Sequence, residues 1–150
     1  MKHLFVDLRN TYLQVKKHYD SKVDLGCFTG YGRKILVTTF TGKASGFYAK
    51  ATKLGYIIEA VYSSFSSHQV GKRDSEVTMA LVVKVLEYLD DITELDIVSN
   101  NEALIPFIKW VQSRGVKVRV ISPYVSDNLL EVIDQWIRLD ESYLLIETTQ

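Results

Sequence analysis

The chain has 150 residues, 47% of them hydrophobic and 24% charged, with 18 basic and 18 acidic side chains. That length suits one domain able to bury roughly two-thirds of the surface its unfolded chain exposes, and two prolines and eight glycines exclude a disordered or collagen-like chain. No apolar run approaches the ~18 residues of a membrane span, Asp7 interrupts the opening apolar run too early for a leader, and a lone Cys27 fits a reducing, cytoplasmic compartment.

The elements alternate. His3 to Val6 is a short apolar strand ending at Asp7, and Leu8, Tyr12, Val15 and Tyr19 then recur at helical spacing. A loop with Gly26, Gly30 and Gly32 leads to the β-branched strand Ile35 to Phe40. Phe47 to Leu54 reads as a helix stopped by Gly55, and Tyr56 to Tyr62 as a strand. After the polar stretch Ser63 to Arg73, a long helix carries Val77, Leu81, Val85 and Leu89 on one face.

Asp96 to Val98 is a short strand, and Leu104, Phe107, Ile108 and Val111 form a helical face closed by Gly115. Lys117 to Ile121 alternates as a strand. Leu130, Ile133 and Ile137 predict a last helix, and Tyr143 to Ile146 an edge strand. Strands alternating with helices imply crossover connections, hence an α/β fold: a three-layer sandwich around a mainly parallel sheet. Ligands of such sheets bind beyond the carboxyl ends of the strands, where the strand order reverses. That places the interest on Asp7 and Asn10, Ser63 to Asp74, Ser99 to Glu102, and Ser122 to Asp127.

Residues 1–73 carry 12 Lys/Arg against 4 Asp/Glu, and residues 74–150 carry 6 against 14. An acidic partner such as a nucleic-acid backbone would meet the field of the N-terminal half. The alternative is that the halves neutralise each other across the fold.

Asp7 closes the first strand and Asp74 opens the long helix. A short, anionic side chain on a rigid sheet can ligate a hard cation. A helix-opening Asp74 can equally be an N-cap. Asp7, following Leu4-Phe5-Val6, needs a cation or a donor nearby, and Arg9 could form a structural salt bridge with it. Both readings of Asp7 stand. His3, His18 and His68 lack metal-ligand spacing. Gly42-Lys43 and Gly71-Lys72-Arg73 lie outside any phosphate-loop frame. Ser63 to His68 reads as a loop beside the crevice, and Trp110 and Trp136 as packing residues on helices.

Asp7-x-x-Asn10 after an apolar strand resembles the opening of the NYN domains, a branch of the PIN-like nuclease superfamily. Further likenesses follow in order: Phe47-Tyr48 with Lys53-Leu54-Gly55-Tyr56; Asp74 after Lys72-Arg73; Ile97 to Pro106; Gly115 to Val118; and Ser126 to Leu130 with Asp134 to Asp140 as a closing helix. The resemblance covers residues 4–140 of a domain spanning 1–150.

It implies acidic residues that bind Mg²⁺ or Mn²⁺ for RNA hydrolysis, with Asp7, Asp74 and Glu102 as catalytic candidates and Asp7 and Asp74 as metal ligands. Asn10, Ser99 and Asn101 are auxiliary. Arg9, Arg33, Lys34, Lys43, Lys72 and Arg73 are candidate contacts to RNA, with Tyr12, Tyr31 and His68 able to stack on unpaired bases.

The departures weaken catalysis. Asn101 and Ala103 stand where the family carries aspartates, and Ala80 stands where relatives often add another acid. Glu102 and Asp127 are the possible substitutes; Glu102 has the reach, yet an acid in a first helical turn is favoured there by the helix dipole alone. Asp127 is expected to cap a helix beside Ser126.

The leading expectation is therefore an RNA-binding domain, single strands favoured, with metal-dependent hydrolysis weakened or lost and no cofactor in the latter case. An active Mg²⁺/Mn²⁺ endoribonuclease is the second. The third is a protein-interaction module, as a homodimer or with a partner on Trp110 or Trp136, and no membrane partner is expected.

Overall fold

The computed structural model describes residues 1–40, 45–62 and 70–146, and side chains within these except those of 70–73. Six strands form one sheet: β1 (Lys2–Asp7), β2 (Arg33–Thr39), β3 (Tyr56–Val61), β4 (Glu94–Val98), β5 (Lys117–Ser122) and β6 (Gln135–Arg138). Their spatial order is β3-β2-β1-β4-β5-β6, and every pairing is parallel. Five helices connect them: α1 (Leu8–Tyr19), α2 (Ser45–Lys53), α3 (Val70–Tyr88), α4 (Ile105–Ser113) and α5 (Asp127–Val132).

The period-two alternation of β1 decides which helices meet which residues. Leu4 and Val6 pack with Val15 of α1 and Ala51 of α2 on one face. Phe5 points the other way, into a core with Val77, Leu81 and Val85 of α3 and Ile108 and Val111 of α4. Those three α3 residues repeat every four positions and are fully buried, each stabilising the fold by roughly 1.5–3 kcal/mol. Asp7, two residues on from Phe5, emerges on the α3 side at the top of the central strand.

Helix α1 starts without a loop. Asp7 is its N-cap, with φ −83° and ψ 95°, and its side chain accepts from the Asn10 N–H. Gly55 and Gly115, at φ +90° and +86°, end α2 and α4 in a conformation that a Cβ would strain.

Four expectations need correction. Gln135 to Arg138 is a strand, not helix: α5 stops at Val132, Ile133 is extended, and β6 pairs with β5 from Arg119–Gln135 to Ser122–Arg138. The spacing of Leu130, Ile133 and Ile137 fitted a helix, but the buried residue of α5 is Leu129, while Leu130 is exposed. Trp136 accordingly lies on a strand, with its indole N–H donating to the Ser122 carbonyl.

Asp74 lies inside α3, one turn beyond its start, and does not cap it. Asp127 is the first residue of α5, whereas Ser126 is the cap. Tyr143 to Ile146 forms no edge strand. Glu141–Tyr143 is a 3-10 turn, and Leu144 makes one antiparallel bridge with Val23.

Candidate functional site

The sheet reverses direction of growth at β1, which has β2 on one side and β4 on the other. The carboxyl ends of β1 and β4 therefore bring Asp7 and Asn10 against Ser99, Asn100 and Asn101. Helix α3 crosses beside them with Asp74 and Thr78, one turn apart on the same face.

Asp7 is 2% exposed. Its Oδ1 accepts from the Asn10 N–H at 3.2 Å, and its Oδ2 faces two hydroxyls, Thr78 Oγ1 and Ser99 Oγ, both at 3.4 Å. Those hydroxyls are oriented by Asn101, whose Nδ2 donates to Thr78 Oγ1 at 3.0 Å and whose backbone N–H donates to Ser99 Oγ at 3.3 Å. Each hydroxyl thus accepts one hydrogen bond from Asn101 and donates its own proton to the Asp7 carboxylate. Burial pushes the Asp7 carboxyl up to about 6, against the pull of these three donors and with a small further push from Asp74.

Asp74 is engaged elsewhere. Arg9 Nε donates to its Oδ1 at 2.6 Å, with both side chains partly buried. The salt bridge expected at Asp7 is therefore made by Arg9 to Asp74 instead. Asn10 and Asn100 form a reciprocal pair, Asn10 Nδ2 to Asn100 Oδ1 and Asn100 N–H to Asn10 Oδ1, each at 3.0 Å. Asn100 Nδ2 also donates to the Tyr124 carbonyl, tying the segments after β1, β4 and β5 together.

Glu102 is exposed at the start of a 3-10 turn, and no hydrogen bond or ion pair joins it to Asp7 or Asp74. Ala103 is also exposed, its N–H held by Asn101 Oδ1 at 3.0 Å. Ala80 packs against the α3-side core.

These residues are a thin donor set for a Mg²⁺ or Mn²⁺ ion, which requires several hard oxygen ligands: the carboxylates brought together here are Asp7 and Asp74, and Asp74 is paired with Arg9. Among the described residues, no group of three or more His, Cys, Asp or Glu could hold a metal.

Of the candidate RNA contacts, Arg9 lies at this centre, while Arg33 and Lys34 lie at the opposite, amino end of the sheet. Arg33 pairs with Asp91 at 2.9 Å and lies over the Tyr88 ring. Lys34 Nζ donates to the Leu54 and Phe28 carbonyls, closing the end of α2. Tyr31 donates to Asp96 at 2.5 Å rather than facing the crevice. Lys43, Ser63 to His68 and the side chains of Lys72 and Arg73 lie outside the described residues.

The charge asymmetry is partly cancelled within the fold, through Arg9–Asp74 and Arg33–Asp91. Thr78 was missed by sequence reasoning. Its position four residues after Asp74 on a helix was the available signal.

An all-parallel α/β sheet with polar residues gathered at its central carboxyl ends defines an open, doubly wound α/β domain with its site at the topological switch point. VPA0982, a protein of unknown function from Vibrio parahaemolyticus RIMD 2210633, has a similar crystal structure: TM-score 0.81 at 17% identity, covering 96% of this chain and 95% of that one. The NYN domain family matches residues 3–140, and the chain belongs to that family. A comparison with curated proteins finds no match.

Proposed function

We propose that this NYN domain binds single-stranded RNA and that metal-dependent hydrolysis at its acidic centre is lost. The observation that carries the second half is the sparse acidic set: among the described residues no group of three or more potential metal-ligating side chains forms, Asp74 is paired with Arg9, and Asn101 donates its amide to Thr78 where a further acid would be needed. Family membership supports an RNA-directed role. The basic N-terminal half supports it further, with Arg9 at the centre and the exposed Lys22 and Lys50 on the neighbouring α1–α2 side.

The test is incubation of end-labelled single-stranded RNA in Mg²⁺, Mn²⁺ or EDTA, with the Asp7→Asn variant alongside. The expected result is a mobility shift that weakens steeply with salt, without metal-dependent cleavage. Cleavage needing both metal and Asp7 would overturn the reading in favour of a nuclease using Asp7, Asp74 and Glu102. Neither shift nor cleavage would move the function to a protein partner. No helix among the described residues is long and apolar enough to cross a membrane.

A further inference from the structure

Beside the Asp7 centre, on the other face of the sheet, α1 and α2 part over the end of β2 and leave a cavity of about 570 Å³. Leu8 and Arg9, the residues directly after Asp7, form its near wall, and Thr38 and Thr39 lie at its floor. We propose that this cavity is a nucleobase pocket, taking one unpaired base of a single-stranded RNA whose backbone continues across the Asp7 centre. The proposal rests on the RNA-binding reading above and adds where a base is held.

Three observations point to that occupant. First, each flanking helix contributes an exposed aromatic ring to the lining, Tyr12 from α1 (46% exposed) and Phe47 from α2 (37%). Exposed rings lining a cavity are the usual platform for stacking an unpaired base, and the remaining lining is largely aliphatic. A volume of this size is within the range of small-ligand sites.

Second, the charge is complementary to a phosphodiester chain. Lys22 and Lys50 line the cavity against one carboxylate, Asp24, whose Oδ1 already accepts from the Gly26 N–H, while the Arg9 charge is balanced by Asp74. Neither Lys22 nor Lys50 has an acidic partner among the described residues.

Third, the pocket and the centre are joined. Arg9 lines the cavity while its guanidinium holds Asp74 on α3. A strand lying on the carboxyl ends of the sheet would pass from one to the other without leaving protein surface.

The test is fluorescence anisotropy with a labelled oligouridylate and an abasic oligomer of the same length, which keeps the phosphates and removes the bases. Phe47→Ala and Tyr12→Ala are both surface changes, and thermal melts confirm that each variant folds. Each is expected to weaken oligouridylate binding about fivefold to a hundredfold and to leave binding of the abasic oligomer unchanged. Lys50→Glu is expected to weaken both ligands, and more than Lys17→Glu, an exposed cation of α1 outside the cavity.

If the wild type binds both oligomers alike and neither aromatic variant matters, the pocket is overturned while RNA binding stands. If the wild type binds no RNA, the pocket falls together with the reading it rests on.

Discussion

Replacing Asp7 with Asn tests directly how far burial penalises the Asp7 charge. The carboxyl titrates near 6 in the folded protein, because burial raises it from an ordinary value of 3.8. The folded state thus holds this proton more tightly than the unfolded chain does. A raised carboxyl contributes stability below about pH 4 and loses it as pH rises through 6. At 1.36 kcal/mol per unit, the loss amounts to about 3 kcal/mol by pH 7.5.

Asn does not titrate, remains a good N-cap, and can still accept from the Asn10 N–H. The stability difference between Asp7→Asn and wild type is therefore expected to move by about 3 kcal/mol in the variant's favour between pH 3.5 and 7.5. Urea unfolding across that range measures it. The buried His3, whose imidazole is pushed down mainly by burial, destabilises the protein as pH falls below its ordinary 6.5. That contribution is common to both proteins and cancels in the difference. A flat difference, or one moving toward the wild type with rising pH, would refute the reasoning, since it would mean that the Asp7 charge is well compensated.

Other substitutions probe the surrounding structure. Arg119→Leu strips the fully buried Asp96 of its two-pronged partner at 2.7 and 2.8 Å. Urea unfolding should show a loss of about 3–5 kcal/mol, and a loss below ~0.5 kcal/mol would contradict a buried pair. Thr78→Val removes a donor to Asp7 and the acceptor for Asn101 Nδ2. It should cost roughly 1–3 kcal/mol at pH 7 and less at pH 4, where Asp7 is protonated; equal losses would show that Asp7 is not involved. Asn101→Asp combined with Ala103→Asp should bind Mn²⁺ more tightly than the wild type does, as read by electron paramagnetic resonance. Equally tight Mn²⁺ binding by the wild type would show that its own acids suffice to hold the ion.

The sheet and most helices were legible because their signals are local. Phe5 against Leu4 and Val6 follows from alternation, and Val77, Leu81 and Val85 from helical spacing. The segment after Ile133 was not, because four residues with two apolar side chains fit either period. Pairing with β5, remote from any local propensity, decides it. At the site, the sequence already shows the missing acids at Asn101 and Ala103. What Asn101 does instead depends on Thr78 and Ser99 arriving from two different elements. The same holds for Arg9, two residues from Asp7, whose choice of Asp74 over Asp7 is settled by the position of α3.

The strand order has a consequence for the chain as it is made. When β1, β2 and β3 have left the ribosome, β1 has one neighbour and an open edge, since its second neighbour, β4, lies beyond α3. At about 5–20 residues per second the edge stays bare for a time on the order of seconds. It displays the apolar Leu4-Phe5-Val6 and a row of unpaired backbone groups, the arrangement most prone to pairing with another chain. Ser99 is delivered only with the end of β4, so the nascent chain completes its central strand and the surroundings of Asp7 in one late event.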